Sequence, residues 1–219
     1  MKSATARRLS NLVVYLFLAE FLYAPRGYAY IVDIDTPPLS VPGVAMAFDF
    51  VDGGPPSNSV TVSSFSTNGT LGPVTSTGGV VGSLPNGFTL SDSTFFNEYL
   101  QNVSGATNIA FAFQATSNAA ATDSLPDTFS FYLLDPITGL PLFSTTDPTG
   151  ADSLFTFQIT GASLGLIENY SPLGLGTPAP WTVIASVPEP SALVLLVIGL
   201  GLALLYNCHV RMHGRKKRC

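Results

Sequence analysis

The stretch VAMAFDFV, residues 44–51, alternates: Val44, Met46, Phe48 and Phe50 share one side of an extended chain, and Asp49 falls on the other. Successive side chains of a β-strand point to opposite faces, so a period of two marks a strand with one buried face. The pattern recurs. Ile109, Phe111 and Phe113 share a side in IAFAFQA, Phe129, Phe131 and Leu133 in TFSFYLL, and Phe155, Phe157 and Ile159 in LFTFQI. The runs NSVTVSS (58–64) and NGFTLSD (86–92) read as weaker strands. Phe95, Phe96, Tyr99, Leu100 and Val103 fit helical spacing as well, so that segment stays open.

Turn chemistry separates these runs. Asp135-Pro136-Ile137-Thr138-Gly139 and Asp147-Pro148-Thr149-Gly150 open on Asp-Pro and close on Gly, as type I turns prefer. They divide 128–161 into a meander of three short strands. Residues 69–87, rich in Gly, Ser and Thr, read as loop with at most one poor strand. Many short strands and few helix signals predict a mainly β fold, an antiparallel β-sandwich or jelly-roll-like ectodomain over 30–170. Residues 171–187 hold Pro172, Pro178 and Pro180 and read as a tether, with the segment from Trp181 able to add a last edge strand.

Charge narrows the chemistry. From 30 to 187 there is no Lys, Arg, His or Cys, while twelve acids leave that segment at −12. Nucleic-acid binding needs cations against phosphates, so it is excluded. Ser–His–Asp and Cys–His catalysis, His/Cys zinc sites and a P-loop lysine are excluded for the same reason. No disulfide can form inside the segment, and its acids must be solvated, shape turns or hold cations.

The bases sit at the two ends. Lys2, Arg7 and Arg8 precede an apolar run at 9–22, and Gly27-Tyr28-Ala29 places small residues at −3 and −1. This reads as a signal peptide (1–29) cleaved after Ala29, with an uncleaved N-terminal anchor as the alternative. Near the other end, 191–206 is uncharged and apolar; extended to about 210 it predicts one transmembrane helix, a buried core helix being the alternative. Arg211, Arg215, Lys216, Lys217 and Arg218 follow it. By the positive-inside rule this stop-transfer tail stays cytoplasmic and the acidic domain lies outside the membrane.

Pro188-Glu189-Pro190, the apolar run and the terminal Arg/Lys cluster follow one another in order at the very end. Together, residues 188–219 resemble the PEP-CTERM sorting domain of exported proteins of Gram-negative bacteria. The resemblance implies an exosortase as partner, Pro188, Glu189 and Pro190 as the recognition element, and processing near that triplet. Two departures are Asn207, Cys208, His209 and His213 within the tail, and the terminal Cys219. The Gly/Thr/Asn-rich sandwich pattern and PDTFSFYLLDP also resemble PEP-CTERM ectodomains of no assigned activity.

Three features of the domain could carry chemistry. Paired carboxylates at Asp33/Asp35, Asp49/Asp52 and Asp147/Asp152, with Glu98 and Glu168, could serve a glycoside hydrolase, which needs two at a set separation. Asp52 and Asp147 sit beside Gly or Pro, where Asp is a turn residue. Clustered loop acids suit calcium, although no segment meets the D-x-[DN]-x-[DN]-G loop pattern. Tyr99, Tyr132, Tyr170 and Trp181 could stack on sugar rings or pack in the core or at an edge. The expected function is therefore a non-enzymatic, exosortase-sorted protein of the envelope or exopolysaccharide layer, structural or adhesive, with no catalytic residue and no assigned metal site. A carbohydrate-binding module, calcium-assisted or not, is the alternative, and a carboxylate hydrolase comes third.

Overall fold

The computed structural model describes residues 29–35, 43–116, 118, 125–161, 165–174, 179–186 and 201. The chain divides into two units, Met1–Ala185 and Ser186–Cys219, and every strand but the last residue of the final one belongs to the first. The signal peptide up to residue 28, the Pro188-Glu189-Pro190 triplet, the span at 191–210 apart from Gly201, and the basic tail lie outside the described residues. Among the described residues no helix is long and apolar enough to cross a membrane.

The strands are β1 (Ala29–Asp35), β2 (Gly43–Val51), β3 (Ser59–Thr67), β4 (Thr70–Thr77), β5 (Gly79–Ser83) and β6 (Gly87–Ser91), then β7 (Phe96–Ser104), β8 (Asn108–Ala115), β9 (Asp127–Leu134), β10 (Phe155–Ile159), β11 (Leu166–Asn169) and β12 (Trp181–Ser186). They form two six-stranded sheets. The first has the order β12-β1-β8-β3-β6-β5 and the second β11-β10-β9-β2-β7-β4. Pairing is antiparallel at β1·β8, β3·β8, β3·β6 and β5·β6 in the first, and at β10·β11, β9·β10, β2·β9, β2·β7 and β4·β7 in the second.

Period two decides what each strand buries. Val44, Met46, Phe48 and Phe50 of β2 are all buried, and Phe111 and Phe113 of β8 meet them from the other sheet within one core cluster. Phe48 is the meeting point. Its ring lies 5.1 Å from Phe88 and 5.1 Å from Phe111 of the first sheet, and 4.8 Å from Phe131 of its own. Phe113 in turn sits 5.0 Å from Phe129 and stacks at 4.9 Å on Tyr30, which ties β1 into the same cluster.

β2, β8, β9 and β10 stand where the alternation places them, and the weaker runs form β3 and β6. One open segment is settled and two expectations need correction. The open segment at 95–104 is the strand β7, because Asn97, Tyr99, Gln101 and Val103 point inward at every second position. The stretch 69–87 carries two strands, β4 and β5. Pro73 fits in β4 because β4 is an edge strand and the register shifts between Leu71 and Val74. The buried Gln101 side chain donates to the carbonyls of Gly72 (2.8 Å) and Pro73 (3.3 Å) there, replacing ladder bonds the bulge loses. Between β9 and β10 no third strand forms; that segment contributes only the bridges Leu134↔Pro141 and Thr145↔Pro172. Inside the expected tether, 181–186 forms β12, the edge of the first sheet, and Trp181 packs 5.7 Å from Phe143.

Truncating the ring shared by both sheets is expected to leave a cavity that neighbours cannot fill. Phe48→Ala should lower unfolding stability by about 3–5 kcal/mol in urea titration. Phe95→Ala, at a side chain 73% exposed, should change it by less than about 0.5 kcal/mol. Equal losses in the two variants would contradict this account of the core.

Candidate functional site

The two sheets bring three acids together at strand ends. Asp52 follows β2, Asp92 follows β6 and Asp127 opens β9, and one carboxylate oxygen from each lies within 4.8 Å of the others. Aspartate favours such positions because its short carboxylate accepts from backbone N–H groups that turns leave unpaired. Asp127, buried, accepts from Gly53 N (2.7 Å) on one oxygen and Asn58 Nδ2 (2.7 Å) on the other. Asp92 accepts from Asn58 N through a very short bond, and Asp52 accepts from Gly54 N (2.7 Å). Thr116 Oγ1 donates to Asn58 Oδ1 at 2.6 Å and fixes the amide.

The β2–β3 loop is shaped for this closeness. Gly54 has φ of 116°, and a Cβ on Gly53 would stand 2.2 Å from the Leu125 carbonyl oxygen. A side chain at position 53 would push the loop off the segment that leads into Asp127. Carboxylates this close repel one another. No Lys, Arg or His between 30 and 187 offsets that repulsion. Oxygen-only ligands of this charge suit a hard divalent cation such as calcium, with Asp52, Asp92 and Asp127 as the residues that could hold it.

A second acidic pair lies on the outward face of the other sheet. Asp49 on β2 is in register with Glu98 on β7 and with Ser130 on β9. Burial, and then the Glu98 carboxylate beside it, push Asp49 up to about 7. Its Oδ1 is buried with no hydrogen-bond partner. Glu98 is raised by burial as well. The pair can hold a proton near neutrality where isolated carboxylic acids cannot.

Among the described residues the remaining acids are structural or open to solvent. Asp135 accepts from Ile137 N and Thr138 N, both at 2.8 Å, and these bonds hold it below the usual carboxylate range. Burial pushes Asp147 up, but bonds from Ser153 and Thr149 outweigh it and leave the group lowered. Both turns thus form at the Asp-Pro positions, with Gly139 and Gly150 at φ of 69° and 74°. Asp33 accepts from Asn108 Nδ2 (3.0 Å), and with Asp35 and Thr182 it lines an open groove of about 580 Å³.

Of the pairs proposed from sequence, Asp49 and Asp52 part company: one joins Glu98, the other Asp92 and Asp127. Neither Asp92 nor Asp127 stands out in the sequence, and the usable signal was only that each closes or opens an alternating run. The aromatic residues considered as sugar platforms do not form one. Tyr99 and Trp181 are core residues, Tyr170 is buried and donates to Glu168 Oε2 (2.9 Å), and Tyr132 is half-buried. No family model matches the chain, and no curated protein or solved structure does either.

Asp49 makes stability depend on pH in a defined direction. Its folded-state value near 7 lies above the ordinary 3.8, so the native state binds the extra proton and stability falls as pH rises between those values. A shift of about three pH units corresponds to about 4 kcal/mol. Asp49→Asn should flatten that slope, gaining on wild type between pH 5 and 8 in urea midpoints. Parallel curves for the two proteins would remove Asp49 as the cause.

Proposed function

We propose that the chain is an exported surface protein, sorted by an exosortase into the envelope or exopolysaccharide layer, whose β-sandwich domain is structural or adhesive and carries no catalytic activity. One observation carries this reading: Pro188-Glu189-Pro190, an uncharged apolar run and a basic cluster stand in order at the C-terminus, opposite a signal-like N-terminus. The sandwich description is supported by two antiparallel sheets that share one Phe-rich core. The non-enzymatic description is supported by the absence of Lys, Arg, His and Cys from 30–187, which removes most nucleophile–base schemes. In this reading the acidic domain lies outside the cytoplasm and the Arg/Lys tail inside.

The sorting element has a direct test. Replacing Pro188, Glu189 and Pro190 together by Ala, in the native host, should leave a longer protein retained in the membrane, as should deletion of the host exosortase. Mass spectrometry of wild-type surface protein should show the 191–219 region removed. An intact tail on the mature surface form would leave a plain membrane anchor and no sorting.

The Asp52/Asp92/Asp127 cluster favours a second reading, a calcium-assisted carbohydrate-binding module. A cation bound only by the native state raises stability by RT ln(1 + [L]/Kd), about 2.7 kcal/mol at a hundred times Kd. Calcium should therefore raise the melting temperature of the full chain above that in chelator, and Asp92→Asn should abolish the difference. Identical melting in calcium and chelator would dismiss the calcium site.

A further inference from the structure

From Asp52 to Asp92 the chain runs for 39 intervening residues without an acid, a base or a histidine. The fold gathers that stretch at the sheet edges. It supplies β3, β6 and β5, the last three strands of the first sheet out to its edge, and β4, the edge of the second. The acids on strands lie elsewhere, at Asp33 and Asp35 on β1, Asp49 on β2, Glu98 on β7, Asp127 on β9 and Glu168 on β11.

The two uncharged edges are joined by one residue. Gly78 links β4 to β5 with φ of 75°, and a Cβ on it would stand 2.7 Å from the Phe96 carbonyl oxygen. Pro73 and the register shift guard the first half of β4, since proline and bulges are common protections of exposed edges. From Val74 to Ser83 there is neither proline nor charge. Val74 and Val81 are exposed there, Val81 to 77%, and the exposed Phe96 lies beside the crossover.

We propose that this uncharged side is a homotypic interface, through which two copies of the chain meet edge to edge at β4 and β5. Each copy carries −12 over 30–187, so two copies repel on any approach that brings their acid-bearing strands together. β4 and β5 carry no acid of their own, and the acid nearest them on a paired strand is Glu98, in register with Thr77 and half-buried. A strand edge offers donors and acceptors alternately, so two identical edges complement each other about a two-fold axis. The opposite edges suit this less: β11 carries Glu168, and β12 lies against β1 with Asp33 and Asp35 exposed. A basic partner would be drawn to those strands instead. The contact contains no ion pair, so added salt strengthens it by screening the remaining repulsion. It holds whether or not the tail is processed.

The lack of cysteine between 30 and 187 makes the test clean. In the full chain, in membrane preparations with Cys208→Ser and Cys219→Ser, single cysteines are placed by Val81→Cys, Thr75→Cys and, on β12, Thr182→Cys. Mild oxidation should give covalent dimers at 81 and 75 several-fold more than at 182, and more at high salt. Adding Val81→Lys to the Thr75→Cys protein should cut its dimer several-fold with the melting temperature unchanged. Dimer equal at all three positions, dimer at none, dimer indifferent to Val81→Lys, or cross-linking of 81 to a different protein would each overturn the proposal.

Discussion

The Phe48 ring touches aromatic rings of both sheets, and the domain has few other means of holding the sheets together. Without a cysteine or a base between 30 and 187, neither a disulfide nor an ion pair can connect them. What remains is apolar burial, ring geometry and a few hydrogen bonds, such as Asn58 Nδ2 to Asp127 and Gly79 N to Asn97 Oδ1. Phe48 meets Phe88 edge-on at an interplanar angle of 78°, while Phe113 and Phe155 stack at 10°. Both arrangements suit the ring quadrupole and contribute about 0.5–1.5 kcal/mol per pair beyond area burial. The alternating phenylalanines therefore do two tasks: they set which face of each strand turns inward, and they supply the contacts between sheets.

The second constraint is twelve carboxylates with no cation of their own in the domain. Three local solutions are visible. Asp135 and Asp147 turn their oxygens onto backbone N–H groups two or more residues on, so the charge is solvated by the turn it creates. Asp127 is almost fully buried yet satisfied on both oxygens, by Gly53 and by Asn58. Asp49 lacks such donors for one oxygen and faces Glu98, so protonation is the remaining route to a stable buried carboxyl. The same residue type thus behaves as a cap, an anchor and an acid according to the donors its strand position supplies.

How much of this the sequence disclosed follows from what each element buries. β2, β8, β9 and β10 were legible because their inward positions are apolar, with Asp127 at the start of β9 as the exception. β7 was ambiguous because its inward positions include Asn97 and Gln101, whose burial depends on partners elsewhere: Asn97 Nδ2 donates to the Phe50 carbonyl, and Gln101 Nε2 serves the β4 bulge. β4 and β5 were hidden by Gly72-Pro73 and Gly78-Gly79, which signal loops in isolation and are tolerated here only at sheet edges. The Asp52/Asp92/Asp127 cluster was not legible, because its members are brought together by sheet order and share no local motif. Asp135 and Asp147 were legible because a turn needs only its own few residues.

On the proposed reading, the charge segregation shapes what the domain can do with its acids. Basic residues flanking a membrane segment hold their side in the cytoplasm, which accounts for the Arg/Lys tail, while residues 30–187 keep no cation at all. Stripping cations from the domain removes every ion pair it could have made, and with them a ready means of placing a carboxylate inside a sheet. Asp52, Asp92, Asp127, Asp135 and Asp147 then lie at turns and strand ends, where backbone donors are free, while Asp33, Asp49, Glu98 and Glu168 stay on outward-facing strand positions. The short turns that open on Asp and the Phe-rich inner faces are then two results of the same bias.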